Sequence, residues 1–94
     1  MNTDKHSLFI TTYDYRVLTK NYLISTLCAK QMRSAKEHGD EVELIMTFSE
    51  LEDIIGYVAA EANHAKTRKQ REDLNQICDC LEAVENRLKF DKDD

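Results

Sequence analysis

"GDEVELIMTFSELEDIIGYVAAEANHA", residues 39 to 65, changes its hydrophobic period halfway along. Val42, Leu44, Met46 and Phe48 alternate with Glu43, Ile45 and Thr47, the two-residue repeat of a strand with one buried face. Beyond them Leu51, Ile54, Ile55, Val58, Ala62 and Ala65 recur mostly three or four apart, which is one face of a helix. Ser49 with Glu52 three residues on reads as a capping box and sets the helix start near residue 50. A strand over about 42–48 that feeds a helix over about 50–66 is the element from which the rest can be placed.

Downstream, "KTRKQRED" at 66 to 73 contains no apolar residue, and then Leu74, Ile77, Cys78, Leu81, Val84 and Leu88 resume a helical stripe. At 100° per residue this second stripe lies about 120° round the axis from the first, so one straight helix would not present both to a single core. The chain is therefore expected to reverse near 65 to 70 into a helix over about 69–89. The tail, 90–94, and the first six residues, 1–6, are expected to be frayed.

Upstream, "SLFITT" at 7 to 12 is β-branched and apolar enough for a short strand over about 7–11. Thr11 or Thr12 would cap the next helix, with Asp14 at its positive end. "YDYRVLTKNYLISTLCAKQMRSAKEH", 13 to 38, then has neither glycine nor proline until Gly39, which stands where a left-handed C-terminal residue belongs. This predicts one helix over about 13–38, roughly 39 Å long. Its apolar residues form three stripes, Leu23 and Leu27 on one of them and Ile24 on another, so the helix is apolar nearly all round. A compact globule of this chain length is only about 32 Å across, so such a helix would overrun it and seek cover from a second copy.

The fold class expected is thus mainly α: a bundle of three helices with one or two short strands, in one small domain spanning residues 1–94, dimeric through helix one. The composition agrees, with 41% apolar and 33% charged residues and no proline in 94 residues. The longest strongly apolar runs are triplets, far short of the roughly 20 residues of a membrane span, so no membrane association is expected. "MNTDKH" lacks a signal-peptide core, which points to the cytoplasm and to reduced thiols. Cys78 and Cys80, two apart, diverge by about 200° on a helix and cannot share a metal ion. Cys78 and Cys28 read as small buried hydrophobes, and Cys80 as a flank.

Glu61 and His64 have the Glu-x-x-His spacing found in carboxylate-bridged di-metal bundles, of which a dimer would supply two copies. Both lie off the apolar face, in a side stripe with Tyr57 and Arg68, which reads as a contact surface or solvated flank before a metal site. Lys66, Arg68, Lys69 and Arg71 are the one concentrated positive charge, expected to complement the carbonyl end of the preceding helix or to meet a phosphate or an acidic partner. A formal charge of −5 and a pI near 5.1 argue against a nucleic-acid binder. The order strand, helix, helix over 42 to 89 resembles in outline that of ribbon-helix-helix DNA-binding proteins, which implies a strand paired with its dimer mate. Its outward residues here would be Glu43, Ile45 and Thr47, and a glutamate is repelled by phosphate, so the outline carries no DNA-binding function. Nucleophile-elbow, phosphate-loop and zinc-protease motifs are absent, and no cofactor is implied.

The function expected is a small acidic protein–protein interaction or regulatory module without catalytic activity. Leu23, Ile24, Leu27, Tyr57, Lys66, Arg68, Lys69 and Arg71 are its candidate contacts. A nucleic-acid-linked regulator, whether a small repressor or an acidic mimic of DNA, is the alternative. A metal-binding four-helix dimer using Glu61 and His64 comes third.

Overall fold

The computed structural model describes residues 4–92, as three strands and five helices: β1 (Lys5–Thr11), α1 (Thr12–Lys20), α2 (Tyr22–Leu27), α3 (Ala29–Arg33), β2 (Lys36–His38), β3 (Glu41–Thr47), α4 (Phe48–Asn63) and α5 (Arg68–Lys92). It is mostly helical, but the strands join into one antiparallel sheet of order β1-β3-β2, so a pure three-helix bundle does not describe it.

The period-2 reading of β3 holds. Val42, Leu44 and Met46 are buried and Glu43, Ile45 and Thr47 half-exposed. Their partners on β1 follow from the register: His6 opposite Met46, Leu8 opposite Leu44 and Ile10 opposite Val42 on the inner face, Ser7 opposite Ile45 and Phe9 opposite Glu43 on the outer. β3 is paired along its whole length by β1 and over Glu41–Glu43 by β2, and the Ser34 hydroxyl meets the Ile45 backbone beyond; in a ribbon-helix-helix dimer the strand's partner would be its mate, so the outline ends there. Gly39 is not the end of a helix. It is the first residue of the two-residue loop joining β2 to β3, with φ +67°, the position where a tight hairpin takes glycine. Both roles need a left-handed residue, so the glycine alone did not distinguish them.

The continuous helix over 13–38 is the principal correction. Asn21 (φ −77°, ψ 118°) leaves the helical region, and its side chain accepts the Ile24 N–H at 2.9 Å, capping α2. That bond is the local alternative to helix that asparagine offers the backbone. A second break falls at Cys28 (φ −113°, ψ 29°). At the end of α3 the Ser34 hydroxyl donates to the Gln31 carbonyl at 2.7 Å. The pieces fold over one another: the Tyr15 hydroxyl on α1 donates to the Met32 carbonyl on α3 at 3.0 Å. Leu18, Ile24, Cys28 and Met32 then reach a single core together with the sheet's inner face.

α4 begins two residues earlier than the Ser49 cap implied. Thr47 is the cap, accepting the Glu50 N–H at 3.1 Å while Glu50 accepts the Thr47 N–H at 2.8 Å. Both Thr47/Glu50 and Ser49/Glu52 satisfy the motif, and the ladder decides, since β3 runs to Thr47 and the backbone turns there. α4 buries Leu51, Ile54, Val58 and Ala62, and α5 buries Leu74, Ile77, Cys78 and Leu81. The expected reversal between them is present: His64 closes α4, and Thr67 accepts the Gln70 N–H at 3.1 Å to open α5. At 25 residues α5 is about 37 Å long and accounts for the 42 Å long axis of the molecule. Lys5 and His6 lie in β1 and residues 90–92 in α5, so the expected frayed ends are in part regular structure. Residues 1–3 and 93–94 lie outside the described residues.

Candidate functional site: a cationic cleft between α1 and α5

α1 and the first turns of α5 enclose a cleft of about 430 Å³. Val17 and the half-exposed Tyr13 contribute apolar surface to it beside the buried Leu74, with Arg16, Lys20 and Lys69 among its lining. Arg16 and Lys20 are four apart on α1 and so share a face of it. Across the cleft Lys69 donates to the Tyr13 hydroxyl at 2.8 Å, Tyr13 donates to Asp73 at 2.7 Å, and Lys69 pairs with Asp73 at 3.6 Å. The Tyr13 hydrogen bond, with help from the Asp73 charge, raises the Lys69 pKa. The triangle joins α1 to α5 and consumes the one carboxylate that lines the cleft.

Behind it lies Asp14, 3% exposed and the one buried charged side chain among the described residues. Its backbone N–H is bonded by Thr11, which caps α1. Burial raises the Asp14 pKa, the Thr11 hydrogen bond opposes this, and the charge of Asp73 adds to the rise.

The basic run is placed differently from its expected role. Lys66 alone sits in the corner; Arg68, Lys69 and Arg71 lie in the opening turns of α5, where the helix dipole disfavours cations. Arg68 and Lys69 are offset by Glu72 and Asp73 one turn on, at 3.7 and 3.6 Å. Arg16 and Lys20, missed by the sequence reading, join Lys69 because α1 crosses the start of α5; the signal available was their i, i+4 spacing.

Of the other candidate contacts, Ile24 is fully buried in the chain's own core, and Tyr57 is partly buried against it. Leu23 and Leu27 do face outward on α2, 39% and 51% exposed, beside Tyr22 at 83%. Glu61 accepts a hydrogen bond from the Asn21 amide at 2.8 Å, and His64 is the exposed last cap of α4. Among the described residues no three His, Cys, Asp or Glu side chains gather as a metal site.

Two further groupings bear on chemistry. On the outer sheet face Glu43 is bonded by His38 at 3.0 Å, and bonds from Ser7 and then His38 lower its pKa. The carboxylate lies between serine and histidine, so the imidazole is not positioned to take the serine proton, as a hydrolytic triad requires. Cys28 is buried, and desolvation pushes its thiol up to about 11, away from the thiolate that a nucleophile needs. A second cavity of about 390 Å³, lined by Lys5, Lys30, Arg33 and Lys36, also contains Glu50, which pairs with Lys30 at 3.6 Å. No helix among the described residues is long and apolar enough to cross a membrane. No protein-family model, curated protein or solved structure matches the chain.

Proposed function

We propose that this chain is a non-catalytic interaction module whose contact surface is the outer face of α2, and whose partner is the apolar face of a helix in another protein. The observation that carries this reading is the exposure of Tyr22, Leu23 and Leu27 together. At 100° per residue they and Thr26 fall within about 140° of one another on α2. An apolar face left in water on a short helix costs free energy without helping the core, and such patches characterise contact sites. The helix that presents it is anchored from behind by Ile24 and by the Asn21–Glu61 hydrogen bond, so the surface is pre-organised.

A homodimer through helix one, the expectation from sequence, loses its premise. That inference needed one helix too long for the globule, and the helix is three shorter pieces folded onto one core. The nucleic-acid-linked reading draws support from one feature, the convergence of Arg16 and Lys20 with Lys69 beside the rest of the basic run; the chain's net charge of −5 weighs against it.

A photoreactive residue at position 22, introduced in the producing cells, tests the proposal. The expected result is a discrete adduct to an amphipathic helix of one other protein, lost in Leu23→Asp/Leu27→Asp. That variant should fold with a stability change within about 0.5 kcal/mol, as for surface positions. An adduct to this chain's own peptides would restore the homodimer, and absence of any discrete adduct would refute the surface.

A further inference from the structure

We infer that the cleft between α1 and α5 is a binding site for a small organic dianion, of the class of phosphate monoesters with an apolar or aromatic body. This is separate from the α2 face. Among the described residues Arg16 and Lys20 have no side-chain ion pair, which they share with Lys66 and Arg71, but Arg16 and Lys20 line one cleft. The carboxylate nearest to hand, Asp73, is held by Lys69 and Tyr13 and is not turned to either of them.

The formal charge of the lining follows from its members: Arg16, Lys20 and Lys69 against Asp73 leave two positive charges. A carboxylate ligand would neutralise one of these. A phosphate monoester, carrying about −1.5 to −2 at pH 7, matches both and offers acceptors to two donors at once. The buried Asp14 behind the cleft sets a limit on this attraction.

The remainder of the lining selects the body of the ligand. Val17 and the half-exposed Tyr13 give an apolar wall, and about 430 Å³ is the size of a small-molecule pocket, well beyond what a bare inorganic ion fills. The second cavity, of about 390 Å³ with Ala35 and Ile45 in its lining, differs in charge: Lys5, Lys30, Arg33 and Lys36 against Glu50 leave three positive charges, more than one dianion neutralises. Its Lys30 is already paired with Glu50, which lines the same space.

Phenyl phosphate is a suitable probe, followed by amide chemical shifts of the full chain, with inorganic phosphate and phenol as the head-only and body-only controls. The expected result is saturable shifts centred on residues 16, 17, 20, 69 and 74, and affinity for phenyl phosphate about tenfold or more above either control. Arg16→Gln/Lys20→Gln should weaken it by about tenfold or more without altering the dispersed spectrum, while Lys5→Gln/Lys36→Gln at the other cavity should not. Shifts centred on residues 30 to 36, equal affinity for inorganic phosphate, or binding unchanged in Arg16→Gln/Lys20→Gln would each overturn the assignment. So would the absence of saturable shifts at about 10 mM probe, a concentration that reaches even weak contacts.

Discussion

Asn21→Ala tests the feature on which the architecture turns. The asparagine makes two bonds with its side chain: its oxygen accepts the Ile24 N–H at 2.9 Å, and its amide donates to the Glu61 carboxylate at 2.8 Å. Losing an N-cap costs about 1 kcal/mol. A hydrogen bond to a charged group contributes about 1.5–3 kcal/mol, and the lower end applies because both residues are half-exposed. Against this, alanine is the better helix former by roughly 0.5 kcal/mol. The net expectation is a loss of about 2 kcal/mol, which lowers the melting temperature of a domain this size by roughly 8–16 °C. Urea unfolding followed by circular dichroism measures it. Asn21→Ser, which keeps a capping oxygen but lacks the amide, should lose only the Glu61 share. In a Glu61→Ala background that share should vanish. If Asn21→Ala is neutral or stabilising, and helicity rises, then residues 13–38 prefer one continuous helix and the break is not held by Asn21.

Three further predictions concern single residues. The raised Asp14 pKa means that the native state keeps a proton that the unfolded chain has released, so this group's contribution to stability falls as pH rises from near its ordinary 3.8 through the folded value. Asp14→Asn removes that slope; the comparison of the two proteins by urea unfolding between about pH 3 and 7 isolates it from Glu43 and Glu50, whose lowered pKa values act in the opposite direction. With a thiol reagent under native conditions Cys80 should react rapidly and Cys28 and Cys78 only on unfolding, since the first is exposed and the others buried; three equally fast thiols would contradict the core. Gly39→Ala should cost roughly 1–2 kcal/mol in urea unfolding, a purely backbone penalty because an added Cβ meets nothing within 4 Å at φ +67°. Gly39→Asn should cost less, since asparagine tolerates that region better.

The part of the fold legible in the residues alone is that in which each residue's role follows from its neighbours. The alternation of Val42, Leu44 and Met46 identifies β3 whatever packs on it, and the stripes on either side of residues 66–73 require a reversal there. Cys28, Cys78 and Cys80 fall on the sides that helical spacing assigned them. Tertiary structure decided the rest, wherever two local solutions were close in free energy. Asn21 can continue a helix or cap a new one, and the local difference is within about 1 kcal/mol; Glu61, forty residues away, adds its bond to one of them. Gly39 suits a helix end and a hairpin alike, and pairing with β3 selects the hairpin. The two capping boxes around residue 48 are locally equivalent until the register of β1 against β3 ends the strand at Thr47. The cleft belongs to the same class: Arg16 and Lys20 are ordinary surface cations in the sequence, and become neighbours of Lys69 because the broken first helix lays α1 across the start of α5.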